Sequence, residues 1–199
     1  MDPLARHLRS HAHNNAWANH RLLGACACLS QAEFEAARVG YFPSIRATLN
    51  HLLTVDWYYV DAIERSLRGA LPNPAWMAYF DPAEPCADIA ALQLAQRASD
   101  ARLTAVCEGL DAVALAAPIR VPRRDRVDAE TLPRLLAHLF QHQTHHRGQA
   151  HAMLSGSAVA PPQLDEFFCT GDAPRRAPDL RAMRRSEAQL WGATPGTAE

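Results

Sequence analysis

The sequence predicts an all-α fold: a four-helix bundle, with a small hairpin before the last bundle helix and a short helical extension at the C-terminus. Three observations predict it. Four long stretches carry apolar residues at steps of three, four and seven, the period of a helix with one buried face. Asp2, Ser44, Asp88 and Thr131 open these stretches, and such side chains accept from the free N–H groups of a first helical turn. The alternating pattern of a strand is confined to one short region.

In chain order, Asp2-Pro3 starts the first helix, with Asp as cap and Pro in the first turn. Its stripe is Leu4, Leu8, Ala12, Ala16 and Leu23, and it should stop near Leu29. Ser30-Gln31-Ala32-Glu33 is a capping-box pattern that opens a short extra turn. The second long helix runs from Pro43-Ser44 to Gly69, with Ile45, Leu49, Leu52, Tyr59, Ile63 and Leu67 on one face. Four prolines and three aromatics between Leu71 and Pro85 mark a structured loop. Asp88 caps a third helix carrying Ile89, Leu92, Ala95, Leu103, Val106 and Leu110. Between Ala117 and Asp128, Ile119-Arg120-Val121 and Arg126-Val127 flank a charged turn, which reads as a hairpin. Thr131 caps the fourth helix, to about Leu154, and Asp179 to Trp191 reads as one amphipathic terminal helix. The connections after the first two helices read as short, with the longest crossover before the fourth. The bundle domain is placed at residues 1–170, with a partly mobile extension at 171–199 whose tail begins at Gly192.

Composition narrows the function. The net charge is −1, so no general field favours nucleic acid; Arg123-Arg124-Arg126 and Arg184-Arg185 read as solvated faces. All twenty basic residues are Arg, which excludes lysine Schiff-base and P-loop chemistry. Five irregularly spaced cysteines with no CxxC pair suggest a reduced, cytoplasmic chain. No signal peptide or membrane span is expected.

The unusual count is ten histidines, four of them between His138 and His146. His142 and His146 are four apart and share one helix face. With Leu135, Leu139, Ala150 and Met153 they complete the core stripe of the fourth helix. Two imidazoles on a core face need a partner, and one divalent metal serves both. A third ligand must come from elsewhere: His51, Asp56, His20 or the His7/His11/His13 group. His7 and His11 sit among Arg6, Arg9 and Ser10 and read as surface. Asp56 lies within the stripe of the second helix. His51 is off its centre by roughly 100°, but flanked by Thr48, Val55 and Ala62 on a second face. Phase alone leaves these two open. His138 and His145 fall at the polar edge of the fourth-helix stripe, and His151 should be solvated.

Four segments carry a resemblance. HLFQHQTHHRGQAHAML in the fourth helix resembles the signature of DinB-like proteins, the YfiT/DinB superfamily. NNAWANHRLL (14–23), TLNHLLTVDWYY (48–59) and PPQLDEFF (161–168) are similar to the accompanying segments, so the resemblance runs from Ala5 to Phe168. It implies a four-helix bundle, commonly a homodimer, with metal ligands His51, His142 and His146. It thereby favours His51 over Asp56, which would then orient a ligand or contact substrate. Trp17, Trp57, Tyr58, His145 and Arg147 are the other candidates for the pocket or the ligands' surroundings. The implied cofactor is one divalent transition metal, Zn²⁺, Ni²⁺ or Fe²⁺. The implied activity is a metal-dependent hydrolase or a low-molecular-weight thiol S-transferase acting on a small molecule; some relatives carry out thiol-dependent isomerisation. The alternative is a non-catalytic metal-binding stress-response or sensing module.

Overall fold

The computed structural model describes residues 2–191. Helix α1 spans Pro3–Cys26, and the Asp2 carboxylate accepts from the N–H groups of Leu4 and Ala5. A capping box at Ser30 and Glu33 starts the short α2, Gln31–Glu35. Helix α3, Ile45–Leu67, begins with the Ser44 hydroxyl accepting from Ala47. It ends where Gly69 takes φ +70°, which lets the Ala70 N–H return to the Arg65 carbonyl at 2.8 Å. Glycine occupies that left-handed conformation without a Cβ penalty. The proline-rich loop contains a 3₁₀ turn, Trp76–Phe80. Asp88 caps α4, Ile89–Glu108, and α5 follows at Ala112–Ala116. The hairpin is present: β1 (Pro118–Pro122) pairs antiparallel with β2 (Val127–Thr131), Ile119 opposite Glu130. Helix α6 covers Leu132–Leu154; Thr131 makes no side-chain cap, and Pro133 in the first turn supplies the start signal instead.

The protein is an all-α bundle, but its wiring differs from the short-loop expectation. Helix α1 packs on α4 and α6, and α3 packs on the same two, so the sequential partners α1 and α3 sit diagonally. One apolar cluster joins the N-terminal half of α1 and of α6 to the C-terminal halves of α3 and α4. A second joins the opposite halves. The first and last bundle helices therefore run one way, and α3 and α4 the other. A tight turn joins neither parallel neighbours, such as α3 and α4, nor helices on a diagonal, such as α1 and α3 or α4 and α6, which is why residues 27–44, 68–88 and 109–131 are all long connections.

Where the two clusters meet, the interior is polar. Asn15, Asn19, Asp56, Gln96, Asp100, Gln143 and Arg147 are all buried there. The extension also departs from expectation. It forms two helices, α7 (Ala173–Ala182) and α8 (Glu187–Trp191), not one helix over 179–191. Arg184 adopts φ +56° and ends α7, with the Arg185 N–H on the Leu180 carbonyl at 2.8 Å; Ser186 and Gln189 then cap α8. The extension docks on α1 through Trp17, Phe167, Leu180 and Leu190. The tail from Gly192, expected to be mobile, lies outside the described residues.

Candidate metal site

His51 lies in the first half of α3, and His142 and His146 lie mid-way along α6, on two helices that pack side by side. The three rings converge. Their centroids are 4.5 Å (142–146), 4.7 Å (51–146) and 5.0 Å (51–142) apart. One candidate ligand atom from each lies within 4.8 Å of the others. The Nε2 atoms of His51 and His142 are 3.0 Å apart. His146 is buried, and the other two are half-buried. Phe42 packs against His51 and His146, at centroid distances of 4.5 and 5.5 Å.

The electrostatics favour neutral rings. Burial, reinforced by the neighbouring imidazoles, lowers His51 to about 4 and His142 to about 3. Burial also lowers His146. At neutral pH each ring therefore presents a lone pair. Gln149, one turn on from His146, accepts from its Nδ1–H at 2.8 Å. That bond sets the tautomer and aims the bare Nε2 into the cluster. The Gln149 amide in turn donates to His145 Nε2 at 3.1 Å.

This donor set fits a divalent cation. Two imidazole nitrogens bound at about 2.0–2.1 Å from one ion, at a roughly 90–110° angle, are about 3–3.4 Å apart. The observed 3.0 Å is at that spacing. Without a cation, two neutral rings at this distance must place a proton between them, and His142 Nδ1 is buried with no hydrogen-bond partner among the described residues. No carboxylate joins the three rings among the described residues. Two clefts flank the cluster. One of about 170 Å³ is lined by His51, Phe42, Thr54, Phe80 and Glu84. The other, about 200 Å³, is lined by His142, His138, Tyr58, Trp76, Phe80 and Arg123.

A family model, described as the DinB family, matches residues 5–176. The chain belongs to the DinB family. No curated protein matches it.

The DinB-family chain places the other predicted residues less uniformly. Tyr58 lines the cleft beside His142, and its hydroxyl donates to the Pro122 carbonyl at 2.5 Å. His145 is exposed; its ring lies edge-on to His146, with centroids 4.9 Å apart, and it accepts from Gln149. Asp56 faces the bundle centre, where it accepts from Gln96 at 2.8 Å and from Gln143. Arg147 also points there, donating to Asn15 and to Asn19, the latter at 2.9 Å. Asp100 accepts from Asn19 and Gln96 at 2.9 and 3.1 Å, so four helices share one buried network. Trp17 and Trp57 are not at the triad. Trp17 belongs to the extension's apolar cluster, with its indole N–H on Asp179 at 3.2 Å. Trp57 packs against the cluster around Leu22 and Leu53.

The remaining histidines stand apart. His11 packs between Phe140 and Phe168. His13 is buried beside Arg185 and Glu108, and burial lowers it to about 4. His20 lies 4.0 Å from Asp179. His151, expected to be solvated, is half-buried and donates to the Pro162 carbonyl at 2.9 Å, because the segment after α6 folds back over it. Sequence reasoning missed Phe42, Phe80, Trp76, Arg123 and Gln149. Only Gln149 carried a signal, its i, i+3 spacing from His146.

Proposed function

We propose that His51, His142 and His146 hold one divalent transition metal, Zn²⁺, Ni²⁺ or Fe²⁺, and that the protein is a metal-dependent enzyme acting on a small molecule. The observation that carries this reading is the convergence of three neutral imidazoles with no fourth protein ligand beside them among the described residues, next to two clefts. Closed structural sites use four protein ligands, and an open position is the mark of a catalytic one. A divalent ion bound there supplies Lewis acidity, lowering the pKa of a water or thiol that joins it.

Within this reading, thiol S-transfer is favoured over hydrolysis. A hydrolase benefits from a carboxylate base beside the nucleophile. Glu84 lines the His51 cleft but is held by Arg46 at 2.6 Å, and Asp56 is turned into the core. A thiol, with an ordinary pKa of about 8.5, needs far less assistance than water. The chain's own contribution is to keep the ligands neutral by burial, to orient His146 through Gln149, and to limit solvent with Phe42 and Phe80. We propose a homodimer in the cytoplasm as the working form, checked by sedimentation and by localisation of a tagged copy.

The test has two stages. Elemental analysis of purified protein should find about one equivalent of metal, and chelation should lower the melting temperature. His146→Ala should abolish both effects and any S-transfer to an electrophilic acceptor. Protein that takes up no metal, and is not stabilised by adding it, sinks the reading. Metal uptake without turnover would leave the sensing module, which the same lack of a free base also favours.

A further inference from the structure

The arginine-rich turn of the hairpin reads in the sequence as a solvated face, yet Arg123 lines the same cleft as His142. Its guanidinium is fixed on several sides. Nε–H donates to Asp128 at 3.0 Å, and Nη1 donates to the Tyr58 hydroxyl at 2.9 Å. Its carbon lies 5.8 and 5.9 Å from the ring centroids of Tyr58 and Tyr59. A guanidinium has five N–H donors, so these two bonds leave others for a ligand. The charge is not cancelled locally. Asp128 is shared with Arg126 at 2.7 Å, and Asp125 also pairs with Arg126, so three arginines face two aspartates in this turn.

Besides Arg123, His138 and His142, the cleft is lined by the flat rings of Tyr58, Tyr59, Trp76 and Phe80 and by Val55. The cleft is open to solvent on one side and has a volume of about 200 Å³. A dry cavity of roughly 150 Å³ accepts one benzene ring, so this cleft has room for one ring and a small substituent. The other cleft presents the Arg46-paired Glu84 and offers an anion no comparable partner.

We propose that Arg123 anchors a carboxylate, so that the His142 cleft selects small molecules with a flat apolar body and one carboxylate. A preorganised guanidinium binds a carboxylate through paired N–H bonds, and its fixed position spares the entropy of ordering a free side chain. The proposal names the substrate class for the site and rests on the triad being the reactive centre.

The experiment uses the full chain loaded with Co²⁺, and two probes: 4-(mercaptomethyl)benzoate and the matching neutral 4-(mercaptomethyl)benzyl alcohol. The thiolate-to-cobalt absorption band reports that sulfur sits at the triad in both. Calorimetry should show the carboxylate binding at least about tenfold tighter in the wild type. Arg123→Gln should bring the ratio close to one by weakening the carboxylate far more than the alcohol. Arg123→Lys should restore part of the preference, and Asp128→Asn, which keeps the guanidinium, should retain it. A preference that survives in Arg123→Gln, or one that follows hairpin stability and not charge at position 123, overturns the proposal. If no cobalt spectrum develops, the metal reading fails; calorimetry of benzoate against benzyl alcohol in metal-free protein then decides the anchor by the same ratio.

Discussion

Replacing Arg147 with Met keeps most of an apolar stem and deletes a buried positive charge. The guanidinium donates to the side-chain oxygens of Asn15 and Asn19, and those amides lead on to Asp100. Asp56 and Asp100 are deeply buried, and burial pushes their carboxyls up to about 7 and about 6, against the downward pull of Arg147. A carboxyl whose pKa is higher in the fold than in the unfolded chain holds its proton better when folded. Its contribution to stability is complete below the unfolded value of about 4 and is lost as pH rises through the folded value. Without Arg147 both folded values climb, so the loss at high pH deepens. Removing one member of a buried charge set costs about 3–5 kcal/mol, which is the destabilisation expected at pH 8. At pH 5 both carboxyls are protonated, and the remaining cost is that of stranded Asn15 and Asn19 oxygens, about 1–3 kcal/mol. Other groups do not confuse the comparison: His13, His51 and His142, at about 4, 4 and 3, are neutral at both pH values. Arg185, the other cation near Asp100, is common to wild type and variant. Urea unfolding of wild type and variant at the two pH values, with a chelator present, reads the difference directly. An equal loss at pH 5 and pH 8 would refute the charge argument and leave only packing.

Three further outcomes are expected. Gln149→Leu removes the acceptor for His146 Nδ1–H and should weaken metal binding by about 10–100-fold, measured by competition with a chelator; Gln149→Glu, which keeps an acceptor, should not. Trp17→Ala should cost about 3–5 kcal/mol and expose the extension to protease, since Trp17 is fully buried against Phe167. Metal affinity in that variant should be unchanged, and a fall would return Trp17 to the site. Leu53→Ala, at a fully buried position of α3, should lose about 2–5 kcal/mol in denaturant unfolding.

What could be read in advance depended on whether the controlling interaction was local. The period of α6 identified His142 and His146, because a core stripe is a property of one helix. The same arithmetic on α3 put Asp56 within the stripe and His51 on a second face, leaving the two open, and the structure shows why. Helix α3 faces both α4 and α6; Asp56 serves the contact with Gln96 on α4, and His51 serves the side toward His142. Periodicity reports that a residue is buried and says nothing of which neighbour buries it. The family signature, which encodes a tertiary arrangement, separated the two. Likewise, the smooth apolar period over 179–191 concealed a break. Arg184 at φ +56° occupies a place where glycine would have announced the turn. Phe42, Trp76 and Phe80 come from irregular loops, and nothing local to those loops indicates what they will cover.

The buried network and the histidine pair are consecutive on α6, and this links stability to the site. Gln143 and Arg147 follow His142 and His146 by one residue each, so they point away by roughly 100°. One pair faces the bundle centre and the other faces His51. Turning α6 about its axis to improve either contact would spoil the other. Apolar packing alone tolerates such a rotation, because one aliphatic side chain substitutes for another at modest cost. A hydrogen-bonded guanidinium does not. The polar layer thus acts as a registry device, a use for which buried polar groups are best attested. Arg147→Met therefore carries a second expected effect. At pH 5, where the variant is well folded, its metal affinity relative to wild type should fall, although Arg147 touches no ligand. Unchanged affinity there would separate the network from the site and confine it to stability.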